Sequence, residues 1–178
     1  MRSYLEAVQF HGHSCPGLAM GYRMTKAALD YFSQLRAEDE ELVAIVENDA
    51  CGTDAVQFLS GCTFGKGNLI FKDYGKMVYT FYNRNSGKAI RISRPAEFKE
   101  KLTDKDLSRE KMIDWILSVS ENEIVKIEEV TIPKPKFARI LKTVICEFCG
   151  ETVTETRVHD LNGKVICIPC FKNNQEGL

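Results

Sequence analysis

The chain has 178 residues, of which 44% are hydrophobic and 28% are charged, as in a folded protein with one ordinary domain and a small appendage. Its formal net charge of −1 excludes nucleic acid and anionic membrane surfaces as partners attracted by overall charge. Because no run of 18 apolar residues and no signal-peptide pattern occurs, we expect neither a membrane-spanning segment nor secretion.

Two helices are predicted in the first part of the sequence, on either side of a segment rich in histidine and cysteine. The pattern of residues 3–10 indicates a short helix, and residues 17–35 carry apolar side chains at helical spacing after Pro16. The second helix also has a stripe of small residues, Gly17, Gly21 and Ala28. Such a stripe would let another backbone approach closely, either inside the core or across a dimer.

A buried strand over residues 42–46 and a helix capped by Gly52 or Thr53 and ending at Leu59 come next. Three further strands are then predicted, at residues 68–73, 76–83 and 88–93. The connectors at 74–75 and 83–87 are typical of hairpin turns, so we expect these three strands to pair as antiparallel neighbours.

The last elements before the C-terminal cysteines are a helix over residues 107–119 and a strand over 124–132. This order of elements predicts an α+β fold in which helices pack on an antiparallel sheet. Two prolines in residues 133–136 indicate a stiff connector. We therefore place a core domain at residues 1–136 and a small domain at 137–178.

Four of the seven cysteines form two C-x-x-C pairs with 17 residues between them: Cys146, Cys149, Cys167 and Cys170. Four thiolates at this spacing predict a structural zinc site, with a rubredoxin-like iron site as the alternative. An Asn162-Gly163 hairpin turn and a helix after the second pair complete the plan of a treble-clef zinc finger. Metal spacing instead of a disulfide ladder indicates a reducing, cytoplasmic compartment.

A second group of ligand-type side chains lies at His11, His13 and Cys15. Because they alternate, an extended backbone would place all three on one face. The start of a helix at Pro16 favours the thiolate form of Cys15. Imidazole and thiolate together suit zinc, copper, nickel or iron, so we predict a transition-metal site.

Asp49 and Cys51 alternate in the same way before the next helix, and they could complete that site. In this hypothesis Cys51 is a ligand and Asp49 is a further ligand or proton acceptor. The alternative is an enzyme in which Cys15 is the nucleophile, His13 is its base and Asp49 orients the base.

Three neighbouring residues receive weaker assignments. Asp54 is interpreted as a favourable charge in the first helical turn, and Cys62 as a buried small side chain. Residues 61–67 lack the spacing of a phosphate-binding loop, so Lys66 is kept only as a weak candidate for an anionic cofactor.

Several motifs in this order resemble the signature of the FmdE family of formylmethanofuran dehydrogenase proteins, from about residue 5 to about residue 95. They are FHGHSCPG at 10–17, NDACGTDA at 48–55, GCT at 61–63, GKGN at 65–68, DYGK at 73–76 and YTFY at 79–82. The resemblance implies an α+β core that dimerises, followed by a zinc finger. It also implies a metal or active site lined by His13, Cys15, Asp49 and Cys51, with His11 and Cys62 nearby.

The resemblance further implies a link to one-carbon metabolism and methanogenesis, through a dehydrogenase whose molybdenum or tungsten centre is on other subunits. Our leading hypothesis is an accessory metalloprotein with a structural zinc finger and a second transition metal in the core. Its expected partners are a second copy of the chain and subunits of the molybdenum or tungsten enzyme. A protein-interaction module is the remaining alternative.

Overall fold

The computed structural model describes residues 2–33, 36–98 and 108–175. The chain divides into two compact units, Met1–Ala138 and Arg139–Leu178. The first unit holds a five-stranded sheet with its helices, and the second holds two short hairpins and a helix.

The two predicted N-terminal helices are confirmed. Helix α1 (Tyr4–His11) begins with a capping box between Ser3 and Glu6 and ends at Gly12, whose φ of 97° only glycine adopts readily. Helix α2 (Pro16–Tyr31) begins at Cys15, with Pro16 in its first turn. The chain thus turns sharply between the two helices, within Gly12 to Cys15.

The sheet contains five strands in the order β2-β1-β3-β4-β5. Strand β1 (Leu42–Val46) leads into helix α3 (Gly52–Ser60), which returns the chain to β2 (Leu69–Phe71). Strands β3 (Val78–Asn83) and β4 (Ala89–Ser93) form the predicted hairpin across residues 83–87. Three of the four strand pairs are antiparallel, so the predicted α+β class is confirmed.

The predicted hairpin across residues 74–75 is wrong. Strand β2 pairs in parallel with β1, and β3 pairs with β1 on its other side. The reason is the helix between β1 and β2, because a helical crossover brings the second strand back in the same direction as the first. The connection to β3 therefore passes the end of β1, where Lys76 donates a backbone hydrogen bond to Glu47.

The remaining elements of the first unit are α4 (Arg109–Ser118), the short α5 (Glu121–Ile124) and the edge strand β5 (Lys126–Val130). The predicted helix start at 107 and the predicted helix end at 35 lie outside the described residues. Helices α1 to α4 bury one face of the sheet, with Tyr79, Phe81 and Ile90 fully buried. No helix in the described ranges has both the length and the apolar character that crossing a bilayer requires.

Helices α2 and α3 cross in contact through glycines. A Cβ atom added at Gly21 would lie 2.4 Å from both the Cα and the carbonyl oxygen of Gly52. A Cβ atom at Gly52 would lie 2.3 Å from the Tyr79 hydroxyl. The small-residue stripe of α2 therefore serves the core, where Gly21 and Ala28 are buried.

The second unit is built around its cysteines. Strands β6 (Thr143–Ile145) and β7 (Thr152–Thr154) pair on either side of the first C-x-x-C, and a 3-10 turn (Glu155–Arg157) follows. Strands β8 (Val158–Leu161) and β9 (Lys164–Cys167) form the predicted hairpin, with positive φ at Asn162 and Gly163. Helix α6 (Ile168–Gln175) begins directly after Cys167. The expected order of knuckle, hairpin and helix is present.

We predict that Gly21→Ala lowers the free energy of unfolding, although alanine favours a helix over glycine by about 1 kcal/mol. The new methyl group would overlap the backbone of Gly52, which cannot rotate away, and overpacking of this kind costs about 3 kcal/mol. Gly65→Ala is the control, because a Cβ atom there meets nothing within 4 Å. Urea denaturation measures both variants, and equal stabilities would contradict this account of the helix contact.

Candidate metal centre

Four side chains of the first unit converge on one point. His11, His13, Cys15 and Cys51 each offer a ligand atom, and these four atoms all lie within 4.8 Å of one another. The loop between α1 and α2 and the turn before α3 are therefore brought together, as the sequence analysis expected. Such a separation matches that of donors surrounding a single metal ion.

Backbone turns, and not an extended strand, position these ligands. His11 is the last residue of α1, and Gly12 reverses the chain in the left-handed region before His13. Cys15 and Cys51 occupy the residues immediately before α2 and α3. The expectation of an extended segment is wrong here, since the C-terminal turn of α1 and two helix starts achieve the convergence.

His11 is held by a carboxylate. Its Nδ1 lies 2.7 Å from Asp54 Oδ2, and because an ionised carboxylate only accepts, Nδ1 carries the proton. The other ring nitrogen, Nε2, is therefore an acceptor. It is buried and has no hydrogen-bond partner among the described residues. A buried nitrogen lone pair directed at two thiols is what a metal ligand requires.

The exposed ring of His13 lies beside that of His11, with ring centroids 4.5 Å apart and an angle of 42° between the planes. His13 therefore forms the solvent side of the cluster. Cys15 forms the buried side, with 5% of its surface exposed.

Asp49 does not join the cluster. It is exposed in the turn after β1, and it is absent from the group of four converging ligand atoms. The carboxylate that meets the site is Asp54, which the sequence analysis assigned only to the helix end. A signal for this was available, because Asp54 follows Cys51 by three residues and so shares its side of α3.

The electrostatics of the cluster suit a cation. Cys15 Sγ accepts a hydrogen bond of 3.3 Å from the Leu18 backbone, and the starts of α2 and α3 both favour negative charge. Burial raises the pKa of the Cys51 thiol, and the neighbouring Cys15 raises it further. Two adjacent thiolates repel each other, so a bound cation would stabilise both in the charged form.

Cys62 and Lys66 lie beyond the opposite end of α3, a nine-residue helix about 13 Å long. Cys62 is fully buried, its thiol donates to the Leu42 carbonyl at 3.3 Å, and burial raises its pKa to about 11. Lys66 Nζ donates to the Glu38 carbonyl at 3.2 Å. The structure therefore places neither side chain at the cluster.

The second unit has its own group of ligand atoms within 4.8 Å of one another: Cys146, Cys149, Cys167 and Cys170. Cys146 Sγ accepts a backbone hydrogen bond from Cys167 at 3.3 Å. Backbone hydrogen bonds, first from Cys149 and then from Cys167, lower the pKa of Cys146 to about 6. Backbone donors thus prepare a thiolate in the four-cysteine group before any metal binds.

Comparison with known proteins identifies both a family and a shared fold. Residues 10–127 match the family described as "FmdE, Molybdenum formylmethanofuran dehydrogenase operon". A crystal structure of an FmdE-like protein of tungsten formylmethanofuran dehydrogenase, from Syntrophus aciditrophicus, has a TM-score of 0.70 with this chain at 23% identity. That comparison covers 97% of this chain and 94% of the other, so the two share a fold.

A curated relative from Archaeoglobus fulgidus is named a probable S-adenosyl-L-methionine-binding protein. It is 32% identical over an alignment of 196 positions, which covers 95% of this chain and 52% of the relative. The chain therefore spans about half the length of that relative.

Burial and the raised pKa of Cys62 predict that it resists alkylation in the folded protein. At pH 8 a thiol with a pKa of about 11 is about a hundredfold less ionised than an ordinary thiol, and only the thiolate reacts. We expect iodoacetamide to modify the half-buried Cys51 of metal-free protein long before Cys62, as measured by peptide mass spectrometry. The denatured chain is the control, and equal rates in the folded chain would contradict the prediction.

Proposed function

The chain belongs to the FmdE family, and from that premise we propose that it is an accessory metalloprotein with a transition-metal site in its core. His11, His13, Cys15 and Cys51 are the proposed ligands. The metal supplies a Lewis-acidic centre when bound, and the chain supplies its shape, charge and access to solvent.

The observation that carries this proposal is the unpaired Nε2 atom of His11. Leaving a buried polar atom without a partner costs about 1–3 kcal/mol, so a fold rarely retains one without a function. Asp54 fixes the proton on Nδ1, which keeps Nε2 deprotonated and directed toward the sulfur atoms. A metal ion would satisfy Nε2 and the two thiolates together.

The donor set supports a particular class of metal. Two imidazoles and two thiolates favour zinc, copper, nickel or iron, whereas magnesium and calcium prefer oxygen ligands. The exposed His13 supports an exchangeable site, since solvent can reach the metal from that side. We therefore propose a centre that accepts, stores or senses a metal ion.

The description of the family supports a role beside formylmethanofuran dehydrogenase. We propose that this chain handles metal for such a molybdenum or tungsten enzyme, with the enzyme's subunits and a second copy of the chain as its partners. For the four-cysteine group we propose zinc in a structural role. A 40-residue unit whose buried cluster is Cys146, Ile166 and Cys167 needs metal to remain folded.

The thiol-enzyme alternative has less support. It needs Asp49 to orient His13, but Asp49 lies outside the cluster and the carboxylate-bound imidazole is His11. Cys15 retains a favourable position at the start of α2, so the alternative is tested by the same variants.

The metal content of the purified chain tests the proposal. We expect two metal ions per chain in the natural protein and one in Cys15→Ser, because loss of a core thiolate empties the core while the four-cysteine group keeps its ion. Cys62→Ser is the matched control, since it changes a buried thiol outside the cluster and should leave two ions. Elemental analysis per chain gives the count, and one ion in the natural protein would refute the core site.

Two carboxylate variants test the role of Asp54. We expect Asp54→Asn to weaken metal binding in the core about 10–100-fold, because the amide no longer fixes the His11 tautomer as a carboxylate does. Asp49→Asn should leave the affinity unchanged. Competition with a chelator measures both affinities, and a larger effect from Asp49→Asn would restore Asp49 as the carboxylate of the site and overturn the role of Asp54.

A further inference from the structure

A cleft beside the ligand cluster has the dimensions of a small-molecule site. It has a volume of about 570 Å³ and is lined by the connection before β3 and the segment after β4. A narrower recess of about 110 Å³ shares Met77, Arg94 and Phe98 with the cleft and reaches Gly17. Sites for small ligands typically occupy about 300–1,000 Å³, so the cleft falls in that range.

Two basic side chains line the cleft, Lys76 and Arg94, and both are exposed. Neither has a carboxylate partner within the ranges that the structure describes. The Arg94 guanidinium lies 4.9 Å from the centre of the Phe98 ring, an arrangement that leaves its N–H groups available for an anion. The nearby Glu97 does not line the cleft. The cleft is therefore positively charged.

The recess is apolar apart from Arg94. Its walls include three methionines and an aromatic ring: Met20, Met77, Met112 and Phe98. Thioether side chains are flexible and polarisable, so they adapt to flat apolar groups. A ligand that fills both spaces would combine an anionic group with an apolar body.

Gly17 belongs to the wall of the recess and also contacts the cluster. A Cβ atom added at Gly17 would lie 3.4 Å from Cys51 Cβ and 4.0 Å from Cys15 Sγ. The buried Tyr79 hydroxyl gives a second connection: burial raises its pKa, the charge of Arg94 opposes that rise and Cys51 adds to it. The cleft and the ligand cluster are therefore immediate neighbours.

We propose that this cleft binds a small organic anion, a carboxylate or a phosphate monoester, whose flat apolar body enters the recess. Arg94 and Lys76 hold the anionic group, and Met77, Met112 and Phe98 enclose the body. As a subsite of the metal centre the cleft rests on the proposed function, whereas binding of the anion itself does not require the metal.

Saturation-transfer NMR of the full chain with three probes tests this proposal: benzoate, phenyl phosphate and benzyl alcohol. We expect at least one of the two anions to bind at least tenfold more tightly than the neutral alcohol. Comparing benzoate with phenyl phosphate shows which anionic group the cleft prefers. Binding of neither anion above the level of benzyl alcohol would overturn the proposal.

Variants assign the binding to this cleft. We expect Arg94→Gln to remove the preference for the anion at least tenfold, and Met112→Trp to weaken the preferred anion at least tenfold by filling the recess. Lys88→Gln is the matched control, because Lys88 is an exposed base at the opposite end of β4. Natural affinity in Arg94→Gln would overturn the proposal, and thermal unfolding of each variant verifies that it folds.

Metal analysis of the same samples separates the two proposals. A chain that prefers the anion but holds one metal ion would refute the core metal centre and support the cleft. A chain that holds two metal ions without any preference for the anion would refute the cleft alone.

Discussion

The contact between the first turns of α2 and α3 is the constraint on which the candidate site depends. Gly21 and Gly52 let the two backbones touch, and no larger side chain fits there without displacing backbone or the Tyr79 hydroxyl. Since Cys15 and Cys51 immediately precede these helices, the contact also brings their sulfur atoms together. Backbone packing in the core thus determines the geometry of a surface-accessible cluster.

A cation is the natural complement of this arrangement. Two helix starts direct partial positive charge at two thiols, and that charge alone offsets only part of the repulsion between two thiolates. The imidazole of His11 adds a lone pair that has no other partner among the described residues, since Asp54 holds the opposite side of the ring. In the second unit backbone N–H groups perform the task that helix starts perform in the first.

Much of this could be predicted from the sequence, and the failures have physical causes. Strand β1, helix α2 and the Asn162-Gly163 hairpin follow local signals, namely an apolar run, helical spacing and a turn that needs positive φ. The pairing of β2 depends on its helical crossover from β1, which a short glycine-containing connector to β3 conceals. The FmdE resemblance of the motifs is confirmed by the family match over residues 10–127. The carboxylate was misassigned because alternation in the sequence favoured Asp49, whereas the side of a helix decides which group faces inward.

Anomalous diffraction from crystals of the full chain at the absorption edge of its metal tests the central claim most directly. The account predicts two peaks per chain, one in the four-cysteine group and one about 2.0–2.3 Å from His11 Nε2 and from the sulfur atoms of Cys15 and Cys51. A single peak in the four-cysteine group, with Nε2 of His11 bound to water or to another protein atom, would contradict it.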